Sequence, residues 1–206
     1  MTDTSANNKR IAKNTLLLYF RMLFMMAVSL YTSRVVLNAL GVEDFGIYNV
    51  VGGVVAMFSM LSGSLSAAIT RFITYELGKG NQENLKKIFS SSVTIQIGLA
   101  ILIIVVAEAI GVWFLNMKMN IPDVRITAAN WVFQFSILTF AVNLISVPYN
   151  ASIIAHERMS AFAYISILEA IGKLAIVFLI VISPMDKLIF YAILMCAVAL
   201  IVRLAY

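Results

Sequence analysis

Residues 88–107 read IFSSSVTIQIGLAILIIVVA, twenty consecutive positions without Asp, Glu, Lys or Arg. A helix of that length rises about 30 Å, the thickness of a bilayer's hydrocarbon core. The run lacks the strict alternation that a barrel strand would carry. Residues 45–70 and 126–155 repeat the pattern, again with none of the four charged types. Across the 206 residues 62% are hydrophobic and 12% charged, about half the charge of a soluble domain. Lipid must therefore solvate most of the surface, and helices satisfy their own backbone there.

The expected fold is all-α: a polytopic membrane protein with a six-helix transmembrane bundle. The spans are placed at about 15–37, 46–70, 88–115, 126–148, 161–182 and 187–205, within a single transmembrane domain covering residues 1–206. Turn or charge signals separate them: Gly41 to Asp44, Gly78 to Asn81, Asn120 to Asp123, His156 to Arg158, and Ser183 to Asp186 through Pro184. Lys9, Arg10 and Lys13 before the first run resemble a signal peptide, but Arg21 interrupts that run and no cleavage site follows. It is read as a retained span. The last span ends almost at Tyr206 with no polar tail, as an abrupt natural terminus or a truncated or incomplete sequence would.

Sorting the basic residues by side gives an orientation. Lys9, Arg10, Lys13, Arg71, Lys79, Lys86, Lys87, Arg158 and Arg203 fall on the side of the N-terminus, nine in all, against four opposite: Arg34, Lys118, Arg125 and Lys187. Basic residues concentrate on the cytoplasmic side, so both termini are expected to be cytoplasmic. The net charge of +5 is scattered among apolar spans, which gives no nucleic-acid patch. One cysteine, Cys196, and one histidine, His156, provide neither a metal cluster nor a catalytic triad. No enzyme activity and no cofactor are expected, and His156 is read as a solvated connection residue.

Polar groups inside a membrane are costly and are the functional candidates. Arg21 faces an internal cavity and binds an anion, or snorkels to headgroups. Arg34, about 140° around the same helix, has the same two options. Glu169 and Lys173 have the favourable i,i+4 order, either as a self-neutralising pair or as a site where Lys173 meets an anion. Glu108 is a lone carboxylate suited to ion coupling, alongside Glu169, or to pairing across helices. Ser136, Thr139, Asn143 and Ser146 share one face of the fourth span and either line a hydrated cavity or join helices. Pro148 is expected to bend or end that helix. Gly52, Ala56, Ser59, Gly63 and Ala67 form a small-residue stripe, expected to be a packing face.

The segment Ser33-Arg34-Val35-Val36-Leu37-Asn38-Ala39-Leu40-Gly41-Val42-Glu43-Asp44-Phe45-Gly46-Ile47-Tyr48 resembles the turn after the first helix of polysaccharide exporters and oligosaccharide flippases. Asn14-Thr15 at the start of the first helix and Arg71 closing the second fit the same pattern. These belong to the multidrug/oligosaccharidyl-lipid/polysaccharide exporter superfamily, whose members have twelve to fourteen helices in two lobes. The resemblance implies one lobe, the N-terminal bundle of a longer protein, of a flippase that moves pyrophosphate-linked lipid oligosaccharides across the bacterial inner membrane by alternating access. It implies Arg21, Lys173 and Arg34 as substrate-binding cations, with membrane lipids and a glycan polymerase or glycosyltransferases as partners. The alternatives are a cation-coupled multidrug antiporter using Glu108 and Glu169, and a non-transporting scaffold of a glycan-assembly complex.

Overall fold

A computed structural model describes residues 2–183 and 185–205; Met1, Pro184, Tyr206 and the side chains of residues 2–7, 10, 60 and 61 lie outside the description. The described residues are helical almost throughout. In order come α1 (Thr2–Ala56), α2 (Ser59–Lys79), α3 (Gln82–Val106), a π-helical turn (Ala107–Gly111), α4 (Val112–Met117), a 3-10 turn (Asp123–Arg125), α5 (Ile126–Ile145), α6 (Val147–Ala155), α7 (Met159–Ile182) and α8 (Lys187–Leu204). Five helical stretches are long and apolar enough to cross a membrane: Ile11–Ala56, Gln82–Met117, Asp123–Ala155, Met159–Ile182 and Lys187–Leu204.

The first of these folds back on itself at Gly41, where φ is 83° and ψ 168°. That φ is open to glycine and costly for other residues. Contacts on either side establish the reversal. Arg21 touches Ser166 near the start of α7, and the Ala39 carbonyl accepts from Lys187 at the start of α8, so the first arm runs with α7. Asp44 meets Arg125 just before α5, and the Phe58 ring lies 6.2 Å from that of Phe140 near its far end. The second arm thus runs with α5, in the opposite direction, and α2 continues it. Of the expected break at residues 41–44, only Gly41 leaves the helix; Val42, Glu43 and Asp44 are helical.

The other turns follow from local chemistry. Gly80 ends α2 in the left-handed region (φ 70°). Its N–H donates to Leu77 O at 3.1 Å and the Asn81 N–H to Glu76 O at 3.3 Å, a Schellman arrangement. Asn81 then caps α3, its side chain accepting from the Asn84 N–H at 3.1 Å. Asp186 caps α8 by accepting from the Leu188 N–H at 3.0 Å. Pro148, which lacks an N–H, sits in the first turn of α6 and marks its division from α5.

Two expectations need correction. The second span is not one helix over 46–70: it breaks at Met57 and Phe58, between α1 and α2. Nor is its small-residue stripe a packing face within the chain, because a β-carbon at Gly52 or Gly63 would meet nothing within 4 Å. Close approach occurs elsewhere. A β-carbon at Gly111, in the π turn, would overlap the Phe133 ring, and one at Gly172 would lie 2.8 Å from Val198.

α5 is the central helix, packing on α1, α3 and α8. Ala129, Val132, Phe133, Ile137 and Leu144 bury its faces. In its span 44% of the most apolar window is buried, against 11% for Ile11–Ala56. The first arm of α1 instead exposes Leu16, Tyr19, Phe20, Leu23 and Leu30, side chains that lipid or another apolar surface can solvate. Helices in lipid are held by close packing and hydrogen bonds rather than by escape from water, so α5 organises the bundle.

Candidate functional site

α5 carries Ser136, Thr139 and Asn143 along one face, toward the second arm of α1 and α8. There they line a cavity of about 180 Å³ whose other walls include Tyr48, Gly52, Ala56 and Met195. The Tyr48 and Tyr191 rings meet edge-on at 4.6 Å beside it. Gly52 and Ala56, expected to pack, are cavity wall. On the other side of Thr139, Asn143 and Met195 lies a second cavity of about 100 Å³, reached by Glu169, Lys173 and Arg203. The two cavities share Thr139, Asn143 and Met195.

The charges are concentrated in the second cavity. Lys173 Nζ lies 2.7 Å from Glu169 Oε1, one turn apart on α7, with side chains 31% and 37% exposed. Arg203, in the last turn of α8, donates from Nη2 to Asn143 Oδ1 at 2.5 Å. Two cations, Lys173 and Arg203, and one carboxylate, Glu169, thus border the cavity. Thr139 donates its hydroxyl to the Phe135 carbonyl at 2.7 Å, which leaves its oxygen able to accept. The arrangement suits an anion whose oxygens meet Lys173 and Arg203, with Glu169 as the resident counter-charge.

The remaining candidates lie apart. Ser146 is buried and donates to Val142 O and Asn143 O on its own helix; it lines a separate cavity with Tyr149 and Arg203. Arg21 donates from Nε to Ser166 Oγ at 2.5 Å and stacks 4.2 Å above the Phe162 ring, docking the first arm of α1 on α7. Ser166 is seven residues before Lys173, about 10 Å along nearly the same face. Arg34 is exposed and has no ion pair among the described residues. Glu108, on the π turn, accepts from Gln134 Nε2 at 3.1 Å. Gln134 is about 140° around α5 from Thr139, so Glu108 and Glu169 are not brought together.

Arg203 was not among the sequence candidates. It and Asn143 are 60 positions apart, yet each lies near the end of a helix that runs the same way, and matching helix ends would have paired them. Also missed were Gln96, 1% exposed with both amide atoms unpartnered, and the Asp44–Arg125–Asp186 cluster at the opposite end of the bundle. Among the described residues no group of three or more His, Cys, Asp or Glu is placed to hold a metal.

The chain matches the family model described as "Polysaccharide biosynthesis protein" over residues 11–206, nearly its whole length. It belongs to that family. Comparison with curated proteins and with solved structures returned no match. Family and apolar helices together make it a multi-pass membrane protein with a transport role connected to polysaccharides.

Proposed function

We propose that this polysaccharide biosynthesis protein carries a lipid-linked oligosaccharide, anchored through pyrophosphate, from the cytoplasmic to the outer face of a bacterial inner membrane by alternating access. The observation that carries the proposal is the meeting of Lys173, Glu169, Asn143 and Arg203 around one cavity. An unpaired charge near the middle of a bilayer costs about 3 kcal/mol or more. A pyrophosphate needs compensating cations along its path while the lipid tail stays in the hydrocarbon. Lys173 and Arg203 supply them here, and the Ser136–Thr139–Asn143 face supplies hydrogen-bonding groups for sugar hydroxyls.

In this scheme the bundle is one lobe of a larger exporter, and the exposed apolar side of α1 suits a second lobe or lipid. Arg21, held by Ser166 two turns from Lys173, is a further cation near the path. Arg34 lies at the far end of the first arm, toward the outer face. Glu169 releases Lys173 when the anion arrives and then becomes available to a coupling cation; Glu108 is a second, separate carboxylate. Glycan polymerase and glycosyltransferases are the partners that would supply and consume the cargo. The nine-to-four bias of basic residues supports cytoplasmic termini.

The test is glycan export in cells relying on Lys173→Ala or Arg203→Ala variants, with membrane insertion measured in parallel. Export falls at least tenfold with insertion unchanged if the cavity carries the anion. Full export from both variants contradicts the assignment.

A further inference from the structure

A different cavity, of about 260 Å³, opens between α2, α3 and α6 at the end of the bundle where α2 gives way to α3. Its walls are Ile73, Leu85 and Phe89, with Lys86, Ser152 and His156 at the polar side. The Phe89 ring is fixed edge-on against Tyr149 at 5.3 Å. Lys87 is engaged by Glu83 at 2.7 Å, whereas the adjacent Lys86 has no hydrogen bond or ion pair among the described residues. His156 Nδ1 lies 2.8 Å from the Ser152 carbonyl. A carbonyl only accepts, so Nδ1 carries the proton and Nε2 is left for a ligand. Glu76, one turn along α2 from Ile73, is not part of the lining.

We infer that this cavity binds the phosphate headgroup of one anionic phospholipid, held by the Lys86 ammonium, with the first acyl methylenes on Leu85 and Phe89. The exposed Lys86 ammonium offers an anion a charge with no other partner among the described residues, and the half-buried Leu85 and Phe89 offer apolar surface to hydrocarbon beside it. A free phosphate would satisfy the first and leave the walls uncovered. The volume holds a headgroup and the start of a chain, the rest of the lipid running into the bilayer beside α3. Lys79 and Arg158 also lie at this end, and juxtamembrane basic residues attract anionic lipids. The site lies apart from the Lys173 cavity, and its existence does not depend on the cargo proposed above.

The test is native mass spectrometry of the full chain purified in detergent and titrated with phosphatidylglycerol, with phosphatidylcholine as the neutral control. One phosphatidylglycerol is expected to bind about tenfold more weakly to Lys86→Gln than to the unaltered protein. Lys87→Gln and the charge-preserving Lys86→Arg retain the affinity, and millimolar inorganic phosphate does not displace the lipid. Equal losses in Lys86→Gln and Lys87→Gln reduce the effect to a diffuse field and overturn the site. Displacement by inorganic phosphate, or equal binding of phosphatidylcholine, overturns the anionic-lipid assignment.

Discussion

Arg125 Nη2 lies 2.9 Å from Asp44 Oδ2, while its Nη1 contacts Asp186 Oδ2 at 2.5 Å. One guanidinium thereby ties the turn after Gly41 to the starts of α5 and α8, next to the Lys187 contact with the Ala39 carbonyl. Asp44 is only 6% exposed, so removing its partner leaves a buried carboxylate uncompensated. Arg125→Ala is expected to destabilise the purified protein by about 1–3 kcal/mol, the lower range reflecting the one-third exposure of the arginine. Thermal unfolding in detergent checks this, and Asp44→Asn in the same background should restore part of the loss. Equal midpoints for Arg125→Ala and for Arg34→Ala, at an exposed position, would refute the clasp.

Gly111 and Gly52 separate the two uses of glycine in this bundle. Gly111→Ala forces a methyl into the Phe133 ring and should cost about 1–3 kcal/mol, relieved in the Gly111→Ala/Phe133→Leu double variant. Gly52→Ala has open space and should leave the unfolding midpoint nearly unchanged. A larger loss at Gly52 than at Gly111 would mean that the stripe packs after all.

Gln96 carries two buried amide atoms without partners. Replacing it with an apolar side chain of similar length removes that desolvation cost. Gln96→Leu is expected to stabilise the protein by about 1–3 kcal/mol in the same unfolding assay. Destabilisation would show that the amide is satisfied in the membrane.

Water in the cavity has its own signature. In a Cys196→Ala background, Asn143→Cys should react with a charged, membrane-impermeant thiol reagent in opened membranes. Leu138→Cys, exposed on the same helix, should not, because lipid and not water covers it. Comparable labelling at both positions would remove the distinction between cavity and lipid face.

Much of this architecture is visible along the chain, for reasons that can be named. The charge-free run at 88–107 and those at 45–70 and 126–155 need only length and composition to be read as helices in lipid. Gly41 is legible as a turn because its neighbours carry acidic residues, and Thr139 and Asn143 are legible as a face because helical spacing is periodic. The break at Met57–Phe58 carries no Gly-Pro or charge signal, and the π turn at Ala107–Gly111 leaves the apolar pattern intact. Small residues at Gly52 and Ala56 suit a packed face and a cavity wall equally well. Arg21 is the instructive candidate: its position inside a span is plain, but whether it enters the path or binds Ser166 depends on α7, 145 residues away. The Arg203–Asn143 contact depends likewise on how two distant helices end.

Under the proposed function, Lys173 and Arg203 form the anion-binding part of a transport cavity. That role is tested most directly by measuring the affinity of the purified protein, in its full natural length, for a polyprenyl-pyrophosphate oligosaccharide across the series Lys173→Gln, Arg203→Gln, Lys173→Arg and Glu169→Gln. Each charge-removing change at a cation should weaken binding about tenfold. Lys173→Arg should retain most of it, and Glu169→Gln, which frees Lys173, should tighten it. Unchanged affinity in the Lys173→Gln/Arg203→Gln double variant would rule out an anion-binding role for the pair.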